Sequence, residues 1–502
     1  MLRRILRAAV LTLCALVLTG ALLYVFGLRL VLDGGGTPHF QFVESARARD
    51  ERIASHREAQ RREAQASGST ADESRAAASQ PAAPSAPPGD VPVPPVAGAA
   101  PPARLEPAAF WTSFRGPRRD GHYDEQPIRT DWPEGGLQPI WKQPVGGGYA
   151  SFVVARGRAF TIEQRGEEEV LAAYDVATGR ELWTSRWTAA FREFMGGDGP
   201  RATPTWADGR VYVLGAEGEL RSVDETSGKV QWRTNILHDA GASNLQWGMA
   251  ASPLIVGDTV VVLPGGSNAR SVAAYDRGTG KRVWAALGDQ QAYSSPMLVT
   301  LAGVRQILVF SASRLMGLTP DAGEVLWEYP WKTQFDIHAS QPLVVGDSRV
   351  FLSSGYGTGA AVLELTQADG RFSVREVWRN IRMKNQFTSS VLHEGFIYGL
   401  DESILACVDA ATGDLKWKGG RYGYGQVVLA SGHLIVLTED GDLALVRATP
   451  DRHDEIVRFP ALEGKTWNHP AMADGLLLVR NIREMAAYDL RRVKEEGRRN
   501  KE

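Results

Sequence analysis

Aromatic, amide, guanidinium and imidazole side chains recur in the segments that precede short apolar strands between residues 198 and 469. These segments occupy corresponding positions in a repeated pattern. When such groups converge, they supply the polar and stacking contacts of a small-molecule or peptide pocket. The candidate binding residues are Asp198, Arg201, Asn244, Trp247, Tyr293, His338, Asn385, Phe387, Tyr424, Trp467 and His469.

The sequence lacks the residue combinations that catalysis and tight metal binding use. No Ser–His–Asp arrangement, glycine-rich phosphate loop or carboxylate pair stands out. His338 and His469 come from different repeats without an acidic cluster beside them, which is a weak metal signal. We therefore predict no catalytic residues and no metal site. The alternative reading of the candidate residues is that they only satisfy neighbouring turns.

Composition narrows the class of protein further. The 502 residues are 43% hydrophobic, which is enough for a large core. A formal net charge of −2 does not provide the excess of positive charge that binding of nucleic acid uses. Cys14 and Cys407 are the two cysteines, and they cannot build a disulfide framework or a cysteine-based zinc or iron–sulfur site.

The elements that must position the candidate residues form an internal repeat. A strand followed by D-x-x-T-G-x-x-x-W, with one T-S-G variant, occurs four times, at 175–183, 224–232, 276–284 and 409–417. Each Asp is expected to form the turn by accepting main-chain N–H bonds. Looser copies end at Trp327, Trp378 and Phe459, and Trp141 stands alone without its preceding strand and turn. The landmarks recur every 39–52 residues, which is typical of propeller blades.

Counting the strands predicts how the ring closes. Seven units supply four strands each, separated by tight Gly/Asp turns, whereas the stretch 469–490 supplies only three. The orphan strand at Trp141 is the one that the last unit lacks, and pairing the two removes an open sheet edge. We predict an all-β, eight-bladed propeller of four-stranded antiparallel blades, from about residue 132 to 490. The repeat tryptophans are then structural: Trp141, Trp183, Trp232, Trp284, Trp327, Trp378 and Trp417.

The N-terminal part of the sequence predicts a membrane-targeting segment followed by a tether. Residues 8–28 carry no charge and follow a basic flank at 1–7, which predicts a transmembrane helix with the N-terminus in the cytoplasm. A signal peptide cleaved after Ala21 is the alternative. Residues 29–109 form a linker. Its charged part (44–65) is expected to be a short exposed helix or a solvated tether, with an amphipathic membrane helix as a further alternative, and its Ala-, Pro- and Ser-rich part (66–107) is expected to be disordered. Residues 491–502 form a charged tail.

The repeat resembles that of the pyrroloquinoline-quinone-like (PQQ-like) β-propeller family over residues 110–490. The segment FWTSFRGPRRDG (110–121) is similar to a lead-in found before such propellers in bacterial envelope proteins. The family includes quinoprotein dehydrogenases and non-enzymatic propellers such as BamB. The dehydrogenases typically carry adjacent cysteines over the cofactor, and this chain has neither that pair nor a C-x-x-C-H haem motif. The resemblance is therefore to the BamB-like branch.

The repeats, the predicted anchor and the absence of catalytic residue sets, together with this resemblance, predict a membrane-tethered scaffold without a cofactor. We expect a monomeric periplasmic propeller, anchored in the inner membrane by residues 8–28, that binds envelope proteins or a ligand and not nucleic acid. The alternative is a PQQ-dependent quinoprotein oxidoreductase, in which PQQ with Ca²⁺ would stack near Trp247 or Trp467.

Overall fold

The computed structural model describes residues 27–77 and 110–492, together with isolated positions between 12 and 25. Within these described residues, no helix is both long enough and apolar enough to span a membrane. Most of the predicted transmembrane segment 8–28 lies outside the described residues. So do linker residues 78–109 and the tail from 493 onward.

The described chain begins with a hairpin of β1 (Leu28–Leu32) and β2 (Pro38–Phe42). A long helix, α1 (Ala46–Ala77), follows it. Two short strands then precede the repeat, β3 (His122–Tyr123) and β4 (Trp141–Pro144).

The rest of the chain forms the predicted propeller of eight blades, each with four antiparallel strands named A to D in chain order. The first four blades are β5 (Val153–Ala155), β6 (Arg158–Arg165), β7 (Glu168–Asp175), β8 (Glu181–Thr188); β9 (Thr205–Ala207), β10 (Arg210–Leu214), β11 (Glu219–Asp224), β12 (Val230–Asn235), followed by the short helix α2 (Ile236–Ala240); β13 (Leu254–Val256), β14 (Thr259–Val262), β15 (Val272–Asp276), β16 (Arg282–Ala286); and β17 (Met297–Leu301), β18 (Val304–Phe310), β19 (Arg314–Leu318), β20 (Val325–Pro330).

The remaining blades continue this order around the ring. They are β21 (Leu343–Val345), β22 (Arg349–Ser354), β23 (Gly359–Ala368), β24 (Arg371–Asn380); β25 (Val391–His393), β26 (Phe396–Asp401), β27 (Ile404–Asp409), β28 (Leu415–Arg421); β29 (Gln426–Ala430), β30 (His433–Leu437), β31 (Asp442–Arg447), β32 (Glu455–Pro460); and β33 (Ala471–Ala473), β34 (Leu476–Arg480), β35 (Glu484–Asp489) with β4.

The eighth blade closes the ring as the sequence predicted. β4 pairs antiparallel with β35, so that Trp141 lies opposite Ala487 and Pro144 lies opposite Glu484. The A strands of neighbouring blades contact one another around the channel. Buried apolar clusters lie between adjacent blades, because each blade presents apolar side chains on both of its faces.

The repeat tryptophans bind each blade to the next. In five blades the indole N–H donates to a main-chain carbonyl of the following blade, which satisfies the polar end of a largely buried ring. These bonds are Trp141 to Val176 (2.9 Å), Trp183 to Glu225 (3.0 Å), Trp232 to Arg277 (2.9 Å), Trp378 to Ala410 (3.0 Å) and Trp417 to Thr449 (2.8 Å). Trp327 instead donates to Gln306 of its own blade, and the buried Trp284 Nε1 has no hydrogen-bond partner within the described residues.

Two physical conditions require glycine at its position in the repeat. In five blades it adopts a φ between +71° and +77°, and a Cβ added there would meet the tryptophan ring of the preceding blade at 2.6–2.7 Å. Only glycine satisfies both conditions without strain. The Asp of the motif forms the same turn: Asp175 Oδ1 accepts from the main-chain N–H of Thr178 at 2.9 Å and from its hydroxyl at 2.7 Å.

The lead-in segment crosses the channel. Trp111 forms a bridge with Val154 of the first blade, and Leu429 of the seventh blade donates its N–H to Gly121. Between them the buried Arg119 donates to the carbonyls of Ser252 and Pro296, in the third and fourth blades. One segment therefore joins the inner edges of blades on both sides of the ring.

Helix α1 docks at the seam where the ring closes. Its Arg57 is buried and donates to Gln143 Oε1 (2.8 Å) and to the carbonyl of Pro144 (3.1 Å), both on the closing strand β4. The same side chain forms an ion pair with Glu181 of the first blade at 3.4 Å. Because these contacts are mostly polar, the apolar pattern of this segment did not indicate them.

Candidate functional site

Connections of two kinds meet at one end of the propeller. Strand direction alternates within a blade, so the D-to-A connections and the B-to-C turns emerge at the same end. The structure has a cavity of about 780 Å³ there, which we call the channel mouth. Seven of the candidate binding residues named in the sequence-based prediction line it: Arg201, Trp247, Tyr293, Phe387, Tyr424, Trp467 and His469.

Three other candidates lie outside the lining and hold loops in place. Asn244 is exposed and donates through Nδ2 to the carbonyl of Ala216 at 2.9 Å. Asn385 is buried, donates to the carbonyl of Leu400 at 3.0 Å and accepts from the Ser390 hydroxyl at 2.8 Å. Asp198 likewise accepts a local bond, from the N–H of Glu193 at 3.3 Å.

His338 is enclosed between strands. Its ring stacks on Phe310 with centroids 4.3 Å apart. Nδ1 lies 2.8 Å from Ser354 Oγ, and Nε2 lies 3.2 Å from the carbonyl of Ala312. A neutral imidazole satisfies both partners by donating from Nε2, and burial lowers the pKa of His338 to about 4.

This depressed pKa predicts acid-sensitive stability. In the unfolded chain His338 takes up a proton near pH 6.5, whereas in the folded chain it does so only at about pH 4. Stability therefore falls as the pH drops from 6.5 to 4. At pH 4.5 we expect His338 to account for a loss of about 2–3 kcal/mol. Denaturant unfolding of wild type and His338→Asn between pH 8 and 4.5 measures it. On acidification the free energy of unfolding should fall less for the variant than for wild type. At pH 8 the difference between the two proteins measures the change in packing alone. Parallel pH curves for the two proteins would contradict this assignment.

Aromatic rings form much of the wall of the mouth. Trp467 is the centre of one group, with centroid distances of 4.8 Å to Phe387 and 5.2 Å to Tyr149. Trp247 and Tyr293 form a second group, with centroids 5.7 Å apart in an edge-on arrangement. Rigid rings of this kind bury a large area when a ligand covers them, at little cost in side-chain entropy.

Two cations lie among these rings. Arg201 donates to the carbonyls of Gly197 and Gly199, both at 2.7 Å, and its guanidinium lies 5.4 Å from the centroid of Tyr149. Lys465 lies with Nζ 3.6 Å from the centroid of Trp467. Burial lowers the pKa of Arg201, and it lowers the pKa of Lys465 to about 8. Arg201 lines the mouth while shaping its own loop, whereas Lys465 lies against Trp467 outside the lining.

The B-to-C turns contribute residues that the sequence reasoning missed. Glu439, between β30 and β31, accepts from Trp467 Nε1 at 2.9 Å through Oε1 and from the N–H of Tyr424 at 3.0 Å through Oε2. Glu402 and Tyr356, from two other B-to-C turns, line the mouth. The alternation of strand direction was the signal that could have identified them, because it brings these turns to the same end as the candidate connections.

The inner wall of the mouth is made partly by the lead-in segment. Phe114 lines the cavity, and its ring lies edge-on to His469 with centroids 5.6 Å apart. His469 is buried, and its Nδ1 donates to the carbonyl of Pro470 at 2.8 Å. Burial lowers the pKa of His469 to about 3. The imidazole is therefore neutral at physiological pH.

The tip of the N-terminal hairpin enters the mouth. Residues 32–36 line the cavity, although they are more than 300 residues from the propeller groups that they meet. The N–H of Gly34 donates to Glu439 Oε1 at 2.7 Å, and the carbonyl of Gly34 accepts from Gln386 Nε2 at 2.8 Å. The carbonyl of Leu32 accepts from Lys465 Nζ at 3.2 Å. The sequence reasoning assigned this segment to the linker, but a D-G-G-G run between two apolar stretches is a hairpin signal.

Exposed apolar residues border the mouth. Phe194 is 77% exposed, Met195 45%, Phe335 58% and Ile381 73%. All four belong to D-to-A connections, and Met195 and Phe335 line the cavity itself. We call these four residues the apolar rim. Apolar groups concentrated beside a pocket are typical of a surface that binds another molecule.

The residues of the mouth do not fit a Ca²⁺-bound quinone. Ca²⁺ takes six to eight oxygen ligands in proteins. Across residues 27–77 and 110–492, no three His, Cys, Asp or Glu side chains lie together in a way that could hold a metal ion. Both carboxylate oxygens of Glu439 already accept N–H bonds, so we derive no chemical step through such a cofactor.

Comparison with known proteins places this architecture in a family. The family model described as outer membrane protein assembly factor BamB matches residues 166–419, which is half of the chain. A curated relative, the outer membrane protein assembly factor BamB of Bordetella pertussis, is 24% identical over 309 residues, covering 60% of this chain and 72% of the relative.

Solved structures show the same fold at low sequence identity. BamB from Moraxella catarrhalis aligns with a TM-score of 0.52 and 15% identity, covering 70% of this chain and 99% of the relative. Quinohemoprotein alcohol dehydrogenase from Comamonas testosteroni aligns with a TM-score of 0.55 and 12% identity, covering 79% and 83%. Both structural matches are evidence for the fold alone. The assignment of the chain to a family rests on the family model. The chain therefore belongs to the family of the outer membrane protein assembly factor BamB.

Proposed function

We propose that this propeller is a non-catalytic scaffold that binds proteins of outer-membrane assembly at its channel mouth. Membership of the BamB family supports the partner class. The observation that carries the binding surface is the apolar rim, because its four exposed residues are confined to the connections around one cavity. Hydrogen-bonding and aromatic groups inside the mouth add the specificity that an apolar border alone lacks.

The proposed setting is the periplasm, with the chain held at the inner membrane by residues 8–28. The uncharged run and its basic flank support this arrangement. A monomer suffices for this role, since one mouth presents all of the groups described above.

Co-purification of envelope proteins with the full-length chain tests this function. We expect Phe194→Ser/Met195→Ser/Phe335→Ser to lose at least about tenfold of the co-purified assembly protein, because the rim supplies apolar contacts that serine cannot replace. The matched control is Leu182→Ser/Val283→Ser/Val325→Ser, which changes three exposed apolar residues on outer strands. Identification by mass spectrometry must give a protein of outer-membrane assembly. Equal recovery by both triple variants would refute the mouth as the binding surface.

The quinoprotein alternative depends on Trp247 or Trp467 stacking on PQQ. Calorimetric titration of the purified protein with PQQ and Ca²⁺ separates it from the scaffold function. We expect no binding heat and no thermal shift at high micromolar PQQ, because among the described residues no three acidic, His or Cys side chains are grouped to hold the Ca²⁺. Saturable binding that Trp467→Ala weakens would favour the oxidoreductase instead.

A further inference from the structure

The contacts that hold the hairpin tip are made to its main chain. The bonds from Gly34 N–H to Glu439, from Gln386 to the Gly34 carbonyl and from Lys465 to the Leu32 carbonyl all involve backbone groups of the tip. These groups are common to every polypeptide. The three propeller side chains therefore recognise the path of a peptide rather than the side chains of this one.

Glu439 is preset for this contact by the propeller itself. Trp467 and the main chain of Tyr424 each donate to its carboxylate, which fixes the oxygen that accepts from Gly34. The carboxylate is buried, and a bond to a charged acceptor is stronger than one between neutral groups. When the tip leaves, Oε1 keeps its bond from Trp467 and can accept from another N–H donor in place of Gly34.

The close contact between the tip and the propeller also requires a glycine at one position of the tip. A Cβ on Gly34 would lie 2.3 Å from Cγ and Cδ2 of Tyr424, so any side chain there collides with the ring. Asp33 shapes the turn from within, since its Oδ1 accepts from the N–H of Thr37 at 2.7 Å. The mouth thus accepts a tight turn that presents a glycine to Tyr424.

The hairpin is held mainly at this tip. Leu30, Phe40 and Phe42 on its strands are exposed, instead of being packed against the propeller. An element that buries little apolar surface opens at low cost. The tip can therefore leave the mouth without disturbing the blades.

We propose that the channel mouth binds a glycine-containing tight turn of a partner polypeptide, and that residues 32–36 are an exchangeable resident of that site. This inference deepens the proposed function, and it rests on that function only in taking the mouth as the partner surface. A partner turn would make the same three main-chain bonds after the resident tip leaves. Because the tip occupies the mouth, the apparent affinity for a partner is the intrinsic affinity multiplied by the fraction of molecules whose mouth is free.

Titration with the hairpin sequence itself tests the proposal. The probe is a fluorescein-labelled peptide of residues 28–42, added to the detergent-solubilised full-length chain and followed by anisotropy. Gly34→Val should expel the resident tip, so we expect the peptide to bind this variant at least about tenfold more tightly than wild type. The matched control is Gly35→Ala, whose Cβ would meet the flexible end of Tyr424 at 3.2 Å, and it should behave like wild type.

Two further measurements make the result decisive. A peptide that itself carries Gly34→Val should bind neither protein, because it meets the same ring of Tyr424. Hydrogen exchange of residues 28–42 should rise in the Gly34→Val protein, whereas exchange in β29–β32 should not change. Equal peptide binding by wild type and variant, equal binding of the two peptides, or unchanged exchange in the hairpin would each overturn the proposal. The titration contains no envelope protein, so its outcome is independent of the co-purification experiment.

Discussion

Replacing Arg119 by methionine is expected to lower the free energy of unfolding by about 3–5 kcal/mol. The guanidinium is buried and donates to the carbonyls of Pro296 (2.8 Å), Ser252 (3.2 Å) and Pro253, and to the Thr205 hydroxyl at 3.3 Å. Methionine fills similar volume but removes the donor to the carbonyls of Ser252 and Pro296, whereas the Pro253 carbonyl keeps its bond from Thr205. Burial lowers the pKa of Arg119 to about 9, so the group is still charged at neutral pH.

The neighbouring Arg118 supplies the control for this experiment. Its side chain is 52% exposed and pairs with Asp120 and Asp124 at the surface. Exposed pairs of this kind contribute about 0–1 kcal/mol, so Arg118→Met should be close to neutral. Urea unfolding of both variants compares the two sites. Arg119→Lys should lie between them, because lysine keeps the charge but not the planar array of donors. Similar losses for Arg118→Met and Arg119→Met would refute the role of Arg119 in joining the blades.

Removing the closing strand is expected to have the other large effect. Deletion of residues 137–144 takes away β4, and with it both the ladder to β35 and the Trp141 contacts to the first blade. The loss exposes a sheet edge on β35 and breaks the ring at one seam. Trp141→Ala alone should cost about 2–4 kcal/mol, since the ring covers Gly179 and donates to the carbonyl of Val176.

The location of the damage distinguishes ring closure from general destabilisation. Hydrogen exchange should accelerate first in β33–β35 and in the first blade, whereas β17–β20 on the far side should stay protected. Ile140→Ala is the matched control, because this neighbouring side chain is 44% exposed and its removal should cost little. Uniform exchange around the ring, or unchanged thermal stability after the deletion, would contradict closure by β4.

The sequence by itself predicted the propeller, the number of blades and the pairing of its two ends. These properties depend on local patterns that repeat at a fixed interval, such as the Asp-turn-Gly-Trp phrase, and on counting one orphan strand against one incomplete unit. The structure adds the reason for the phrase. The glycine lies beneath a tryptophan of the preceding blade, so motif residues of one blade specify its contact with another.

The sequence also predicted many of the residues of the channel mouth, but it did not predict the direction in which each side chain points. Trp247, Trp467 and Arg201 line the cavity, whereas His338 and Asn385 turn into the protein to satisfy local hydrogen bonds. Residues in corresponding connections can point either way, because the choice depends on the packing of each loop rather than on the repeat.

Only the tertiary structure decided what occupies the mouth. The bond between Gly34 and Glu439 joins residues 405 positions apart, and no periodic pattern relates a hairpin near the N-terminus to a turn in the seventh blade. The docking of Arg57 on β4 is likewise a polar contact between distant segments. Hydrophobic periodicity predicts which residues a strand buries within its own sheet. It carries no information about the distant main-chain group from which a buried carboxylate accepts a hydrogen bond, because that depends on the shape of the closed ring.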